Sequence, residues 1–252
     1  MSPPDTAARG RLAVALDLPD RAQILALASH VAPEAGLLKL GLEAFVAEGP
    51  SLVRELAGSG ARIFLDLKLH DIPNTVARAA AAAARTGAAI VNCHAAGGVE
   101  MMRAFGEGAR AAAAKDGLSA PTLIAVTILT SLDAAAVHAV GLTGSPREAA
   151  LRLAVLAQGA GLDGVVCSPE EIETIRAACG RKFLLVVPGV RPLDAAKGDQ
   201  KRVAAPGDAI RAGADILVVG RPITGAPNPA AAARAIVAEI AAAMARDLPG
   251  AP

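Results

Sequence analysis

Short apolar runs alternate with longer Ala-rich segments from one end of the chain to the other. The runs cover 12–17, 36–41, 62–68, 88–94, 122–127, 164–168, 183–188 and 215–220. Each has strand length and is rich in Val, Ile and Leu, the signature of a strand buried on both faces. Between and after them, apolar residues recur at helical spacing over 20–32, 43–58, 73–86, 98–115, 145–160, 169–179, 206–212 and 228–246, with a shorter piece near 132–140. Strict strand–helix alternation with eight repeats in 252 residues predicts an α/β chain folded as one closed (β/α)8 TIM barrel, a single domain over 1–252. A doubly wound open sheet would carry a Gly-rich turn after its first strand, and here that turn reads Asp17-Leu18-Pro19-Asp20. No linker or shift in composition divides the chain. The one long irregular connection, 189–206, has the length of a functional lid or binding loop.

Composition narrows the classes of function. Hydrophobic residues make up 53% of the chain, mean hydropathy is +0.44, and there are 4 Phe with neither Trp nor Tyr, so the core must be built from Ala, Val, Leu and Ile. With a net charge of +1 and 2% aromatics there is neither a basic stripe nor a stacking platform, which argues against a nucleic-acid partner. The three cysteines, Cys93, Cys167 and Cys179, form neither a CxxC pair nor a zinc pattern, and two of them sit in apolar runs. They read as reduced core residues of a cytoplasmic protein. The first eleven residues are polar and lack the apolar stretch of a secretory signal. Runs such as 79–84 are broken by Arg before about eighteen apolar residues accumulate, so they read as helices and not as membrane spans.

Chemistry enters at the strand ends. In 63–69, period two puts Ile63, Leu65, Leu67 and Leu69 on one face and Phe64, Asp66 and Lys68 on the other. A carboxylate and an ammonium group on the inner face of a covered sheet cost several kcal/mol each, roughly, unless they neutralise one another. Further polar residues end the other runs: Asp17 on the first, Lys39 on the second, Asn92 and His94 on the fourth, Thr127 and Thr130 at the fifth. In such barrels these ends carry the active site. Asp17, Lys39, Asp66, Lys68 and Asp71 alternate in sign. The bland account is a salt-bridge network bracing the barrel mouth. The functional one is that the carboxylates hold Lys68 protonated and aimed, ready to donate a proton in a water-poor pocket. After the seventh and eighth runs, Gly189 with Arg191 and Gly220 with Arg221 read as a phosphate site built from backbone N–H groups and two guanidiniums.

The run Phe64-Leu65-Asp66-Leu67-Lys68-Leu69-His70-Asp71-Ile72-Pro73-Asn74-Thr75-Val76 resembles the signature of the orotidine 5′-phosphate decarboxylases. Asp17, Lys39, Thr130-Ser131, Pro188-Gly189-Val190-Arg191, Gly198-Asp199-Gln200-Lys201-Arg202 and Val219-Gly220-Arg221 stand in that family's order, so the likeness spans about residue 11 to residue 240. The resemblance implies conversion of orotidine 5′-monophosphate to UMP and CO2, in pyrimidine synthesis, with no cofactor and no metal. It implies catalytic roles for Lys68, Asp66, Asp71 and Lys39, with Lys68 protonating C6 and Asp66 lying against the substrate carboxylate. Asp17 and Lys39 would bind ribose and Thr130 the pyrimidine. Arg191, Gln200, Gly220 and Arg221 would grip phosphate, with 189–206 as the lid. Asp71, Ile72 and Thr75 complete the substrate-binding set, and Asp71 and Thr75 would reach the partner's site in a homodimer. Asn92 and His94 remain as pocket wall, and His70 as a structural histidine.

Two other readings compete. A Mg2+-dependent sugar-phosphate decarboxylase or aldolase of the same barrel superfamily shares the Asp-x-Lys-x-x-Asp core, but Lys39 puts an ammonium where that metal needs a carboxylate. A barrel that only binds a nucleotide would gain nothing from a carboxylate set beside an anionic ligand.

Overall fold

The computed structural model describes residues 3–191 and 204–246. Eight parallel strands close into a barrel in sequence order: β1 (Leu12–Ala15), β2 (Leu37–Leu40), β3 (Ile63–Leu69), β4 (Ile90–His94), β5 (Thr122–Val126), β6 (Gly164–Val166), β7 (Leu184–Pro188) and β8 (Ile216–Val219). Closure is made by β8 against β1, with Leu217 opposite Leu12. The helices outside it are α1 (Pro3–Arg9), α2 (Arg21–Val31), α3 (Leu42–Gly58), α4 (Pro73–Ala84), α5 (Gly98–Lys115), α6 (Ala134–Ala139), α7 (Pro146–Gly159), α8 (Ile172–Cys179), α9 (Pro206–Arg211), α10 (Arg221–Thr224) and α11 (Pro229–Arg246). The expected barrel is therefore the observed one.

Three local departures have physical causes. The segment expected as one helix over 43–58 is kinked at Gly49, where φ is 67° and Pro50 follows. Glycine accepts the left-handed turn, and proline cannot continue the ladder behind it. The helix expected over 169–179 begins as a 3-10 turn, Pro169–Glu171, before α8. Helices α1 and α10 are additions to the expected list: α1 opens on two prolines, and α10 is only 4 residues long.

Two apolar layers hold the fold. Alternate residues of each strand face the helices and join them in one large core, including Ile63 and Leu65 of β3, with Leu67 and Leu69 half-buried against it. The other residues fill the barrel: Ala13, Ala15, Leu37, Phe64, Ile90, Ile124, Val186, Ile216 and Val218. Helix α4 is locked onto α5 at very short range, since a Cβ on Gly108 would come 2.3 Å from the Ala77 carbonyl oxygen. That contact fixes the element that follows β3. Period two then dictates what stands above the inner apolar layer. Two residues beyond Ala15, Leu37, Phe64 and Ile90 come Asp17, Lys39, Asp66 and Asn92.

Candidate active site

These groups meet at the C-terminal mouth of the barrel. Lys39 Nζ lies 3.1 Å from Asp17 Oδ1 and 3.4 Å from Asp66 Oδ2, and Lys68 Nζ lies 2.6 Å from Asp66 Oδ1. Four charges thus run in line with alternating sign. Asp66 and Lys39 are buried, with side chains 12% and 10% exposed, whereas Lys68 is at 30% and Asp17 at 52%. Burial alone would raise the Asp66 pKa, but the ammonium groups of Lys39 and Lys68 and hydrogen bonds from Lys68 and Asn92 outweigh it and hold the carboxyl below its ordinary value. Asp66 is a fixed anion at neutral pH.

The backbone beneath this pair is irregular. Leu65 pairs with Val91 and Leu69 with Cys93, so Asp66, Leu67 and Lys68 on β3 stand opposite Asn92 alone on β4. Such a bulge leaves ladder groups without backbone partners. Lys68, at φ 52°, is the only non-glycine residue with positive φ among the described residues. For a side chain with a Cβ that conformation costs roughly 1–2 kcal/mol. Asn92 spans the gap: its Oδ1 accepts from the Lys68 N–H at 2.7 Å, and its Nδ2 donates to Asp66 Oδ1 at 2.7 Å. Asn92 is fully buried. Sequence reasoning left it as pocket wall; the available signal was an amide two places beyond interior Ile90 in an otherwise apolar run.

The charged line opens on a cavity of about 240 Å3, lined among others by Lys39, Phe64, Asp66, Lys68, Thr130 and Gly220. A larger concavity of about 660 Å3 lies near α1, α2 and the start of β2, but no comparable line of buried charges faces it. Of the residues singled out by the sequence, Lys39, Asp66, Lys68, Thr130 and Gly220 line the smaller cavity, and Asp17 joins through Lys39. Arg221 follows Gly220 directly, and Arg191 is three residues past lining Pro188. Asp71, Ile72 and Thr75 do not line it. They belong to an exposed stretch, with Asp71 Oδ1 accepting from the Ile72 N–H at 2.6 Å and Ile72 67% exposed. Gln200 and most of 189–206 lie outside the described residues.

Other sequence candidates have structural partners. Thr127 is buried and donates to the Val166 carbonyl at 2.9 Å. His94 stacks on His70 with ring centroids 5.4 Å apart, and burial, His70 and Lys68 together lower its pKa, which favours the neutral ring. All three cysteines are free thiols and buried, and burial pushes the Cys93 thiol up to about 12. Among the described residues no three or more His, Cys, Asp or Glu are grouped as metal ligands would be, and no helix is long and apolar enough to cross a membrane.

The chain is similar to known proteins along nearly its whole length. A family model described as Orotidine 5′-phosphate decarboxylase / HUMPS family matches residues 10–236. An orotidine 5′-phosphate decarboxylase of Anaeromyxobacter sp. (strain K) is 59% identical over 228 residues, covering 90% of this chain and 97% of the relative. One from Moorella thermoacetica is 53% identical over 234 residues, covering 92% and 93%. The crystal structure of orotidine 5′-phosphate decarboxylase from Lactobacillus acidophilus superposes with a TM-score of 0.82 at 38% identity, over 91% of this chain and 98% of that one.

Proposed function

The chain belongs to the orotidine 5′-phosphate decarboxylase / HUMPS family, and from that premise we propose that it converts orotidine 5′-monophosphate to UMP and CO2. The observation that carries this reading is the Asp17–Lys39–Asp66–Lys68 line, with a buried anion against the one ammonium group that reaches into the cavity from β3.

The substrate carboxylate lies beside Asp66. Held ionised by its neighbours, Asp66 cannot relieve the repulsion by taking a proton, so departure of neutral CO2 removes a like-charge contact. The C6–CO2 bond breaks with its electron pair left on C6. The Lys68 ammonium, already oriented by its 2.6 Å contact with Asp66, offsets the growing charge and delivers the proton that completes UMP. Neutral Lys68 then recovers a proton from solvent, to which its side chain is partly open. Lys39 holds Asp66 and Asp17 and presents donors to ribose hydroxyls. Thr130 contacts the pyrimidine. Gly220, Arg221, Arg191 and Gln200 grip the phosphate, with 189–206 as the lid of a single domain spanning 1–252.

The exposure of Asp71, Ile72 and Thr75 supports a homodimer in which Asp71 and Thr75 enter the partner's site, because a carboxylate and a hydroxyl next to an exposed Ile72 suit a protein surface about to be covered. Three buried reduced thiols favour the cytoplasm. The Mg2+-dependent alternative is disfavoured by Lys39: its Nζ sits between Asp17 and Asp66, at 3.1 and 3.4 Å, in the place a divalent cation would take. The test is the loss of orotidine 5′-monophosphate absorbance with purified protein in excess EDTA and no added cofactor. Turnover is expected; its absence in EDTA with recovery on adding Mg2+ would overturn the reading.

A further inference from the structure

We propose that Asn92 is a positioning residue of this reaction, a planar amide that ties the Asp66 carboxylate to the Lys68 backbone and so fixes where the Lys68 ammonium points. The inference rests on the decarboxylase reading and adds to it a group outside the cavity wall. Three residues of β3 face one of β4 at this place, so the Lys68 N–H has lost its ladder carbonyl. The Asn92 Oδ1 stands in for that carbonyl at 2.7 Å, while its Nδ2 donates to Asp66 Oδ1, the same oxygen that Lys68 Nζ approaches at 2.6 Å. Backbone N–H, amide, carboxylate and ammonium thus close a ring within Asp66–Lys68. The ring holds Lys68 at φ 52°, a conformation the side chain would otherwise leave.

The identity of the residue follows from the two partners. An N–H requires an acceptor and an ionised carboxylate requires a donor, and a primary amide offers both at any pH from one short rigid group. Leucine at this fully buried position would fill the space and leave both partners unpaired. Aspartate would satisfy the N–H and repel Asp66. Glutamine would place the amide one methylene too far.

The test compares Asn92→Asp and Asn92→Ala with the wild type, measuring kcat, KM and inhibition by UMP from about pH 5 to about pH 9, with thermal melts to establish folding. For Asn92→Ala we expect kcat to fall about 10- to 100-fold, the scale of a hydrogen bond to a charged group. KM and UMP inhibition should stay within about threefold, because the phosphate grip is intact. In Asn92→Asp the introduced carboxyl sits beside buried Asp66, so its pKa is raised. While protonated, it can donate to Asp66 and accept from the Lys68 N–H, restoring both bonds; once ionised, it repels Asp66. The kcat of this variant relative to wild type should therefore rise by about tenfold as pH falls through that pKa, a response that loss of packing would not give. A variant-to-wild-type ratio constant across pH, or kcat and UMP binding falling together, would overturn the proposal. If Asn92→Asp does not fold, the kcat–KM split of Asn92→Ala decides. A wild type inert toward orotidine 5′-monophosphate would instead sink the decarboxylase reading itself.

Discussion

Lys39→Met removes an ammonium group and keeps the hydrocarbon stem, so β2 stays packed while Asp66 loses one of its two cationic neighbours. At the observed 3.4 Å, the attraction between Lys39 and Asp66 amounts to about 5 kcal/mol in an effective dielectric of about 20. Part of that is offset by the several kcal/mol needed to take the ammonium out of water. What remains after substitution is a buried carboxylate held by Lys68 and Asn92 alone. Breaking a buried pair by removing one partner typically destabilises by about 3–5 kcal/mol. With two partners still in place we expect somewhat less, about 2–3 kcal/mol, or a melting point lowered by roughly 5–10 °C for a chain of this size. The effect carries a pH signature. In the wild type the Asp66 pKa is depressed in the folded state, so its contribution to stability is present above the unfolded carboxyl pKa of about 3.9 and is lost as pH falls through the folded value. Without Lys39 the folded pKa moves up, and the penalty of the under-compensated anion disappears once protons neutralise it. The stability difference should be full near neutrality and shrink toward about pH 4. Urea denaturation of both proteins at equal concentration, at about pH 7.5 and about pH 4.5, measures it. A neutral-pH difference below about 0.5 kcal/mol, or one unchanged in acid, would refute the claim that Lys39 compensates Asp66.

Two further outcomes test the substrate assignments. Arg221→Ala should lower kcat/KM for the nucleotide by about 10- to 100-fold, from a charge-assisted contact of about 1.5–3 kcal/mol. It should leave turnover of the nucleoside orotidine nearly unchanged, and equal losses on both substrates would remove Arg221 from the phosphate grip. For the shared site, Lys68→Ala and Asp71→Ala chains should each be inactive alone, yet recover about a quarter of intact sites when mixed and allowed to reassort, since about half the dimers are hybrids and each hybrid holds one good pocket. Mass spectrometry establishes exchange, and a mixture as inactive as its parents after exchange would mean that Asp71 acts within its own chain.

The barrel was legible because each strand run is bounded and nearly all apolar, so eight repeats could be counted without knowing any contact. The inner face of the site was legible for the same reason: period two carries Leu37 to Lys39 and Phe64 to Asp66. Period counting fails where two neighbouring strands contain different numbers of residues between paired positions. The three-against-one bulge opposite Asn92 is a property of the β3–β4 ladder, and neither strand shows it alone. Lys68 looked like an ordinary strand residue although its φ is positive. The kink in α3 did have a local signal in Gly49-Pro50, overridden by the helical spacing on either side. The roles proposed for Asp71 and Thr75 rest on family resemblance, because no pattern within one chain separates an exposed polar loop from a surface that a second chain would cover.

The bulge also ties the chemistry of this barrel to chain length. Every other neighbouring pair runs in step through its paired positions, whereas β3 carries two residues more than β4 between theirs. Asp66 and Lys68, whose side chains meet at 2.6 Å, both lie within that stretch. Shortening β3 by two between Leu65 and Leu69 would let the ladder close in the regular way, at the cost of Asp66, Lys68 or both. On the decarboxylase reading, catalysis and sheet regularity thus oppose one another within β3, and an insertion or deletion there should cost more activity than a change of side chain on its outer face.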